Sequence, residues 1–120
     1  MKTALLCALV LLAGRRECFD VAAEDNSAAT QAVFDARRCQ GGGVTWAALV
    51  NVLAKRAHAA RGSYQVDDEG DAAQVCSSDA ALLKTLREGV KRLNSSAAEL
   101  KKAMAEASAR ELECSATARE

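Results

Sequence analysis

Apolar residues change spacing along the chain, and each change marks a segment. Behind Met1 and Lys2, residues 3–13 (TALLCALVLLA) form an unbroken apolar run that stops at Gly14. The run is too short to cross a bilayer, which takes about 20 residues. It has the order of a secretory signal peptide: positive start, apolar run, small residues. Cleavage after Gly14 would begin the mature chain at Arg15, and cleavage after Ala23 is the alternative. Further on, Ala29, Val33 and Ala36 share one helical stripe, with Asn26 or Ser27 placed to cap it. Gly41, Gly42 and Gly43 break that pattern. Trp46, Leu49, Val50, Leu53, Ala57 and Ala60 then repeat at the three-and-four spacing of a second helix, 44–61. Residues 62–75 (GSYQVDDEGDAAQV) carry two glycines and four acids and read as a loop.

The longest pattern comes last. Leu83, Leu86, Val90, Leu93, Ala97, Leu100 and Met104 alternate steps of three and four, a heptad seam within one helix over 79–114. Ser77, Ser78 and Asp79 offer caps for its start. The positions beside the seam carry no opposite-charge code for a parallel zipper, so packing against the Trp46 to Leu53 stripe is favoured over self-association. The expected fold is all-α: an antiparallel helical hairpin or three-helix bundle with one long heptad-patterned C-terminal helix. Residues 15–120 form one Ala-rich module, and residues 1–14 are the signal peptide.

Composition narrows this picture. Half the residues are apolar, alanine by far the commonest of them, and only four are aromatic. A core built from them is thin and helical. Sixteen basic and sixteen acidic residues cancel, which leaves no basic excess for nucleic acid. No second long apolar stretch follows residue 14, so no transmembrane segment is expected. The polar end SATARE lacks the tail of a lipid-anchor signal.

Cys7 would leave with the signal peptide. Cys18, Cys39, Cys76 and Cys114 would remain, an even number suited to disulfides in an oxidising compartment. Cleavage after Ala23 would strand one of them. A three-helix bundle puts Cys18 and Cys76 at one end, Cys39 at the other, and Cys114 beyond the bundle. A hairpin brings Cys18 to Cys114 and leaves Cys39 and Cys76 at different heights. Neither satisfies all four thiols, so a fragment of a longer domain or a second chain is expected.

Chemical motifs are sparse. His58 is the only histidine, and it stands among alanines without the partners of a catalytic triad. Asp67, Glu69 and Asp71 have alternate spacing. However, Ala72 stands where a calcium loop needs glycine, and Ser78 where it needs the closing glutamate. The glycine run lacks the Gly-Lys-Ser/Thr of a phosphate loop. No metal, cofactor or catalytic residue is expected, and the protein reads as a non-enzyme. Asn94-Ser95-Ser96 is an N-glycosylation sequon.

A signal peptide, Ala-rich helices, an early cysteine, the stretch WAALVNVLAKRAHAA, and a heptad helix with a sequon and a late cysteine make up the layout. It resembles the N-terminal region of African trypanosome surface glycoproteins, variant or invariant, and their helical-bundle receptor relatives. The resemblance covers most of the mature chain and is one of layout, so no ligand residue carries over. It implies an exported, non-enzymatic cell-surface or secreted glycoprotein, an antigenic coat or host-facing binding module with a host protein as partner. Such proteins are longer and anchored, which implies a truncated copy or partial gene here. The alternatives are a coiled-coil module that self-associates through the seam, and a gene fragment without independent function.

Overall fold

Residues 15–114 are described by the computed structural model. The expected signal segment, Cys7 within it, and residues 115–120 lie outside them. The first departure from the all-α expectation comes at the start. In Glu17–Ala22 (β1), Phe19 and Val21 alternate with Cys18 and Asp20, the period of a half-buried strand. Two more strands, Gln65–Glu69 (β2) and Ala72–Ser77 (β3), occupy the expected loop. Gly70 and Asp71 join them, with a positive φ of 58° at Gly70 and not at Asp71. That is the pattern of a two-residue type II′ hairpin.

The strands form one antiparallel sheet in the order β1-β3-β2. The described residues are mixed, 55% helix and 19% strand, and the all-α reading is overturned. Its error was to weigh alanine-rich composition above a short alternation that only long-range pairing stabilises. On one face of the sheet, register aligns Phe19, Val75 and Val66 in a row beside Val21 and Ala73. The other face carries the rows Cys18-Cys76-Gln65, Asp20-Gln74-Asp67 and Ala22-Ala72-Glu69.

The helices Gly43–Arg56 and Ala80–Ser95 pack on the sheet, where Val21, Ala73 and Val75 join their core, and the other helices pack on these two. Ala28–Ala36 (α1) is capped by Ser27, whose hydroxyl accepts from the Thr30 N–H at 3.0 Å. Gly43–Arg56 (α2) is buried over most of its surface, through Thr45, Ala47, Leu49, Val50, Val52 and Ala54 among others, and exposes only Asn51, Lys55 and Arg56. A helix with so wide an apolar surface belongs inside a fold. It crosses all three strands and also meets the C-terminal helices. The expected stripe at Trp46, Leu49, Val50 and Leu53 is buried, whereas Ala57 and Ala60 lie beyond the helix and are exposed. The Trp46 ring meets Phe34 of α1 edge to face at 5.8 Å, and its Nε1 donates to Asn26 Oδ1 at 2.8 Å.

The expected single C-terminal helix is three. Ala80–Ser95 (α3), Ala97–Ala105 (α4) and Ala109–Leu112 (α5) follow one another with breaks at Ser96 and at 106–108. Serine chemistry causes both breaks. Ser95 Oγ donates back to the Lys91 carbonyl, 2.8 Å, at the end of α3. Ser96 adopts an extended backbone, and its hydroxyl accepts from Glu99 N–H. Ser108 and Glu111 form a reciprocal capping box. The seam nevertheless faces inward: Leu83, Leu86, Leu93, Leu100 and Met104 are buried, with Val90 and Ala97 partly so. It packs against this chain's own core, where each buried leucine contributes about 2 kcal/mol.

The glycine run is a docking surface as well as a helix break. Gly43 N–H donates to the Gly70 carbonyl at 2.9 Å. A Cβ on Gly43 would stand 2.3 Å from the Ala72 carbonyl oxygen, so only glycine lets α2 start against the hairpin. Gly43→Ala is expected to cost about 2–3 kcal/mol through backbone displacement, read as a lowered thermal midpoint. Gly89→Ala, whose Cβ would meet only the Leu53 side chain at 2.9 Å, is expected to cost less. An undiminished midpoint for Gly43→Ala would show that this contact does not set the helix start.

Candidate functional site

The four cysteines of residues 15–114 pair within the chain. Disulfides join Cys18 to Cys76 and Cys39 to Cys114. The expectation that Cys114 lacks a nearby partner fails because the C-terminal helices turn back. Thr45 Oγ1, buried in α2, donates to the Leu112 carbonyl at 2.7 Å and brings α5 beside the end of α1. The bridges enclose sequence separations of 58 and 75 residues. A chain-entropy treatment assigns each about 4 kcal/mol.

Their settings differ. Cys39 and Cys114 each follow a helix end closed by the same device. Arg38 and Glu113 take left-handed φ values of 57° and 56°. The Cys39 N–H reaches back to the Phe34 carbonyl at 2.8 Å, and the Cys114 N–H to Ala109 at 2.9 Å. These are Schellman closures. Cys39 is buried and Cys114 half-buried. Cys18 and Cys76, by contrast, stand directly opposite on the outward sheet face. Cys18, on the edge strand, is exposed, while Cys76, on the central strand, is buried.

His58 ends α2 in the same manner as Arg38 ends α1. Its φ is 56°, its N–H donates to the Lys55 carbonyl, and Ala59 N–H donates to Ala54. It is exposed beside a cleft of about 280 Å³ that also includes Ser63, Asp79 and Thr85. Asp79 is committed to capping α3, accepting from Leu82 N–H at 3.1 Å. The position is explained by helix termination.

The acidic residues lie on β2 and its turn. A shallow cleft of about 380 Å³ is lined by Asp20, Asp67, Asp68, Glu69 and Gln74. Among the described residues, no group of three or more His, Cys, Asp or Glu side chains is arranged to hold a metal ion. A second cleft, about 460 Å³, lies between the end of α2 and β2. There the Tyr64 hydroxyl donates to Asn51 Oδ1 at 2.7 Å, and burial pushes its pKa up.

Asn94 is half-buried and clamps the turn before α1. Its Oδ1 accepts from Ser27 N–H and its Nδ2 donates to the Asp25 carbonyl, both at 2.8 Å. One Nδ2 hydrogen serves that bond, and the other is the one a glycan would replace. Charged contacts invisible to periodicity tie the helices together. Arg56 Nε lies 3.1 Å from both carboxylate oxygens of Glu106. Hydrogen bonding to Arg56 holds the Glu106 carboxyl below its ordinary range, and the arginine is raised in turn. The Ser108 backbone and hydroxyl lower Glu111 likewise.

Among the described residues no helix is long and apolar enough to cross a membrane. The two disulfides are compatible with a secreted protein. No family profile, curated protein or solved structure matches this chain.

Two expectations follow from this geometry. His58→Gly relieves a left-handed L-residue and is expected to stabilise by about 1 kcal/mol, read by denaturant unfolding. A loss of stability would mean that the imidazole makes a contact of its own. Glu106 is depressed in the folded state, so its contribution is present above its unfolded pKa and lost as pH falls through the folded one. The thermal midpoint is therefore expected to fall below about pH 4.5, and less steeply in Glu106→Gln. Superimposable acid limbs would remove the ion pair from the account.

Proposed function

We propose that this chain is an exported, non-enzymatic, cell-surface or secreted glycoprotein, an antigenic coat or host-facing binding module. One observation carries the reading: Cys18, Cys39, Cys76 and Cys114 are all consumed in disulfides within one chain. Small exported domains use such bridges to supplement a limited core. The apolar leader and the sequon at Asn94 agree with that route. The role is taken from the resemblance to African trypanosome surface glycoproteins, and the fold is not, since a sheet is no part of what that resemblance implies. The left-handed His58, the one histidine, is accounted for by closing α2, which favours a binding module over an enzyme.

The test is the intact mass of the protein secreted from eukaryotic cells, before and after glycan removal and reduction. The expected product lacks residues 1–14, carries a removable glycan at Asn94, and gains four hydrogens on reduction of two bridges. A full-length, unglycosylated chain kept inside the cell with reduced thiols would overturn the proposal.

A further inference from the structure

The two disulfides sit in such different settings that they point to different roles. Cys39–Cys114 joins two helix ends, with Cys39 7% exposed, and pins the C-terminal helix near Thr45 and Leu112. Cys18–Cys76 lies on the outward sheet face, between strands already paired over six residue positions. The ladder and the burial of Val21 hold β1 there without it.

Access within this pair is one-sided. Cys18 is exposed, and Cys76 is 3% exposed between Cys18 and Gln65. Charge beside the pair is mixed, with Glu17 next to Cys18 and with Asp20 and Asp67 in the adjoining row of the same face. Arg16 precedes Cys18 by two residues, and its guanidinium donates to Gln65 Oε1, directly across β2 from Cys76.

We propose that Cys18–Cys76 is a thiol-exchange site for low-molecular-weight thiols, and that Cys39–Cys114 is the structural lock. The thiolate of the incoming molecule attacks Cys18 Sγ. The Cys18–Cys76 bond breaks, and Cys76 leaves as a thiolate that takes a proton from water. A mixed disulfide remains on Cys18. A second thiolate attacks the small-molecule sulfur of that mixed disulfide. It releases Cys18 as a thiol and forms the small-molecule disulfide. The protein gains two electrons, and two thiols are oxidised. The sheet stays paired throughout, while the β1–β3 link on its exposed face opens.

The test uses the folded, oxidised protein without denaturant. It is exposed to reduced glutathione or, separately, to uncharged 2-mercaptoethanol. Thiols are trapped by alkylation and located by peptide mapping, with circular dichroism followed in parallel. Cys18 and Cys76 are expected to be labelled at least about tenfold faster than Cys39 and Cys114. The glutathione adduct is expected on Cys18, with the circular dichroism unchanged. The double variant Cys18→Ser, Cys76→Ser is expected to keep a cooperative melt. Opening of Cys39–Cys114 first, release of all four thiols together with loss of structure, an adduct on Cys76 or an unfolded double variant would overturn the proposal.

Discussion

A helix that is apolar over most of its circumference has to be wrapped, and α2 is that helix. With Leu49 and Val50 fully buried and Ala47, Ala48 and Ala54 letting neighbours approach, it offers solvent only the narrow stripe of Asn51 and Lys55 and its end at Arg56. A bundle of alanine-rich helices covers such a surface poorly, because alanine adds little buried area. The three-stranded sheet supplies a broad apolar floor, and α3, α4 and α5 close the remaining sides. The unusual residues follow from that enclosure. Gly43 exists where the helix start abuts the hairpin, and Gly89 where α3 crosses Leu53. Thr45, buried in the same helix, spends its hydroxyl on Leu112 and on the Gly41 N–H.

The wrapping layers carry the charge, and they carry it unevenly. The balance of sixteen acids and sixteen bases hides a segregation. β2 and its turn hold Asp67, Asp68, Glu69 and Asp71, whereas α3 exposes Lys84, Arg87, Lys91 and Arg92 against Glu88. Acids along β2 suit an edge strand, since like charges discourage pairing with another chain's edge. On the opposite edge, Arg87 lies 5.2 Å over the Phe19 ring and shields the half-buried aromatic of β1.

Local signals in the sequence were legible wherever they depended on a few neighbours. The capping of α1 by Ser27 and of α3 by Asp79, the burial of Trp46, Leu49, Val50 and Leu53, and the inward direction of the seam could all be read from spacing. Two signals were present and outweighed. Gly70-Asp71, flanked by short alternations, marks a hairpin, but acidic neighbours made the segment look like a loop. Ser96 and Ser108 each precede a glutamate by three residues, the mark of a new helix start, while the heptad spacing runs straight through both. Other features left no local trace. The Cys18–Cys76 bridge needs the strand register, and Gln65 joins that row only once β2 pairs with β3. The Arg56–Glu106 contact and the Asn94 clamp connect elements 50 or more residues apart, a distance at which periodicity says nothing.

The disulfides interleave: Cys39 falls between Cys18 and Cys76, and Cys76 falls between Cys39 and Cys114. Every peptide bond from Cys18 to Cys114 is therefore spanned by at least one bridge. A protease that nicks the chain once anywhere in that interval releases no fragment, because both pieces stay covalently joined. The exposed stretch around Arg61 and Gly62 lies inside both loops, so a cut there leaves the pieces doubly tethered.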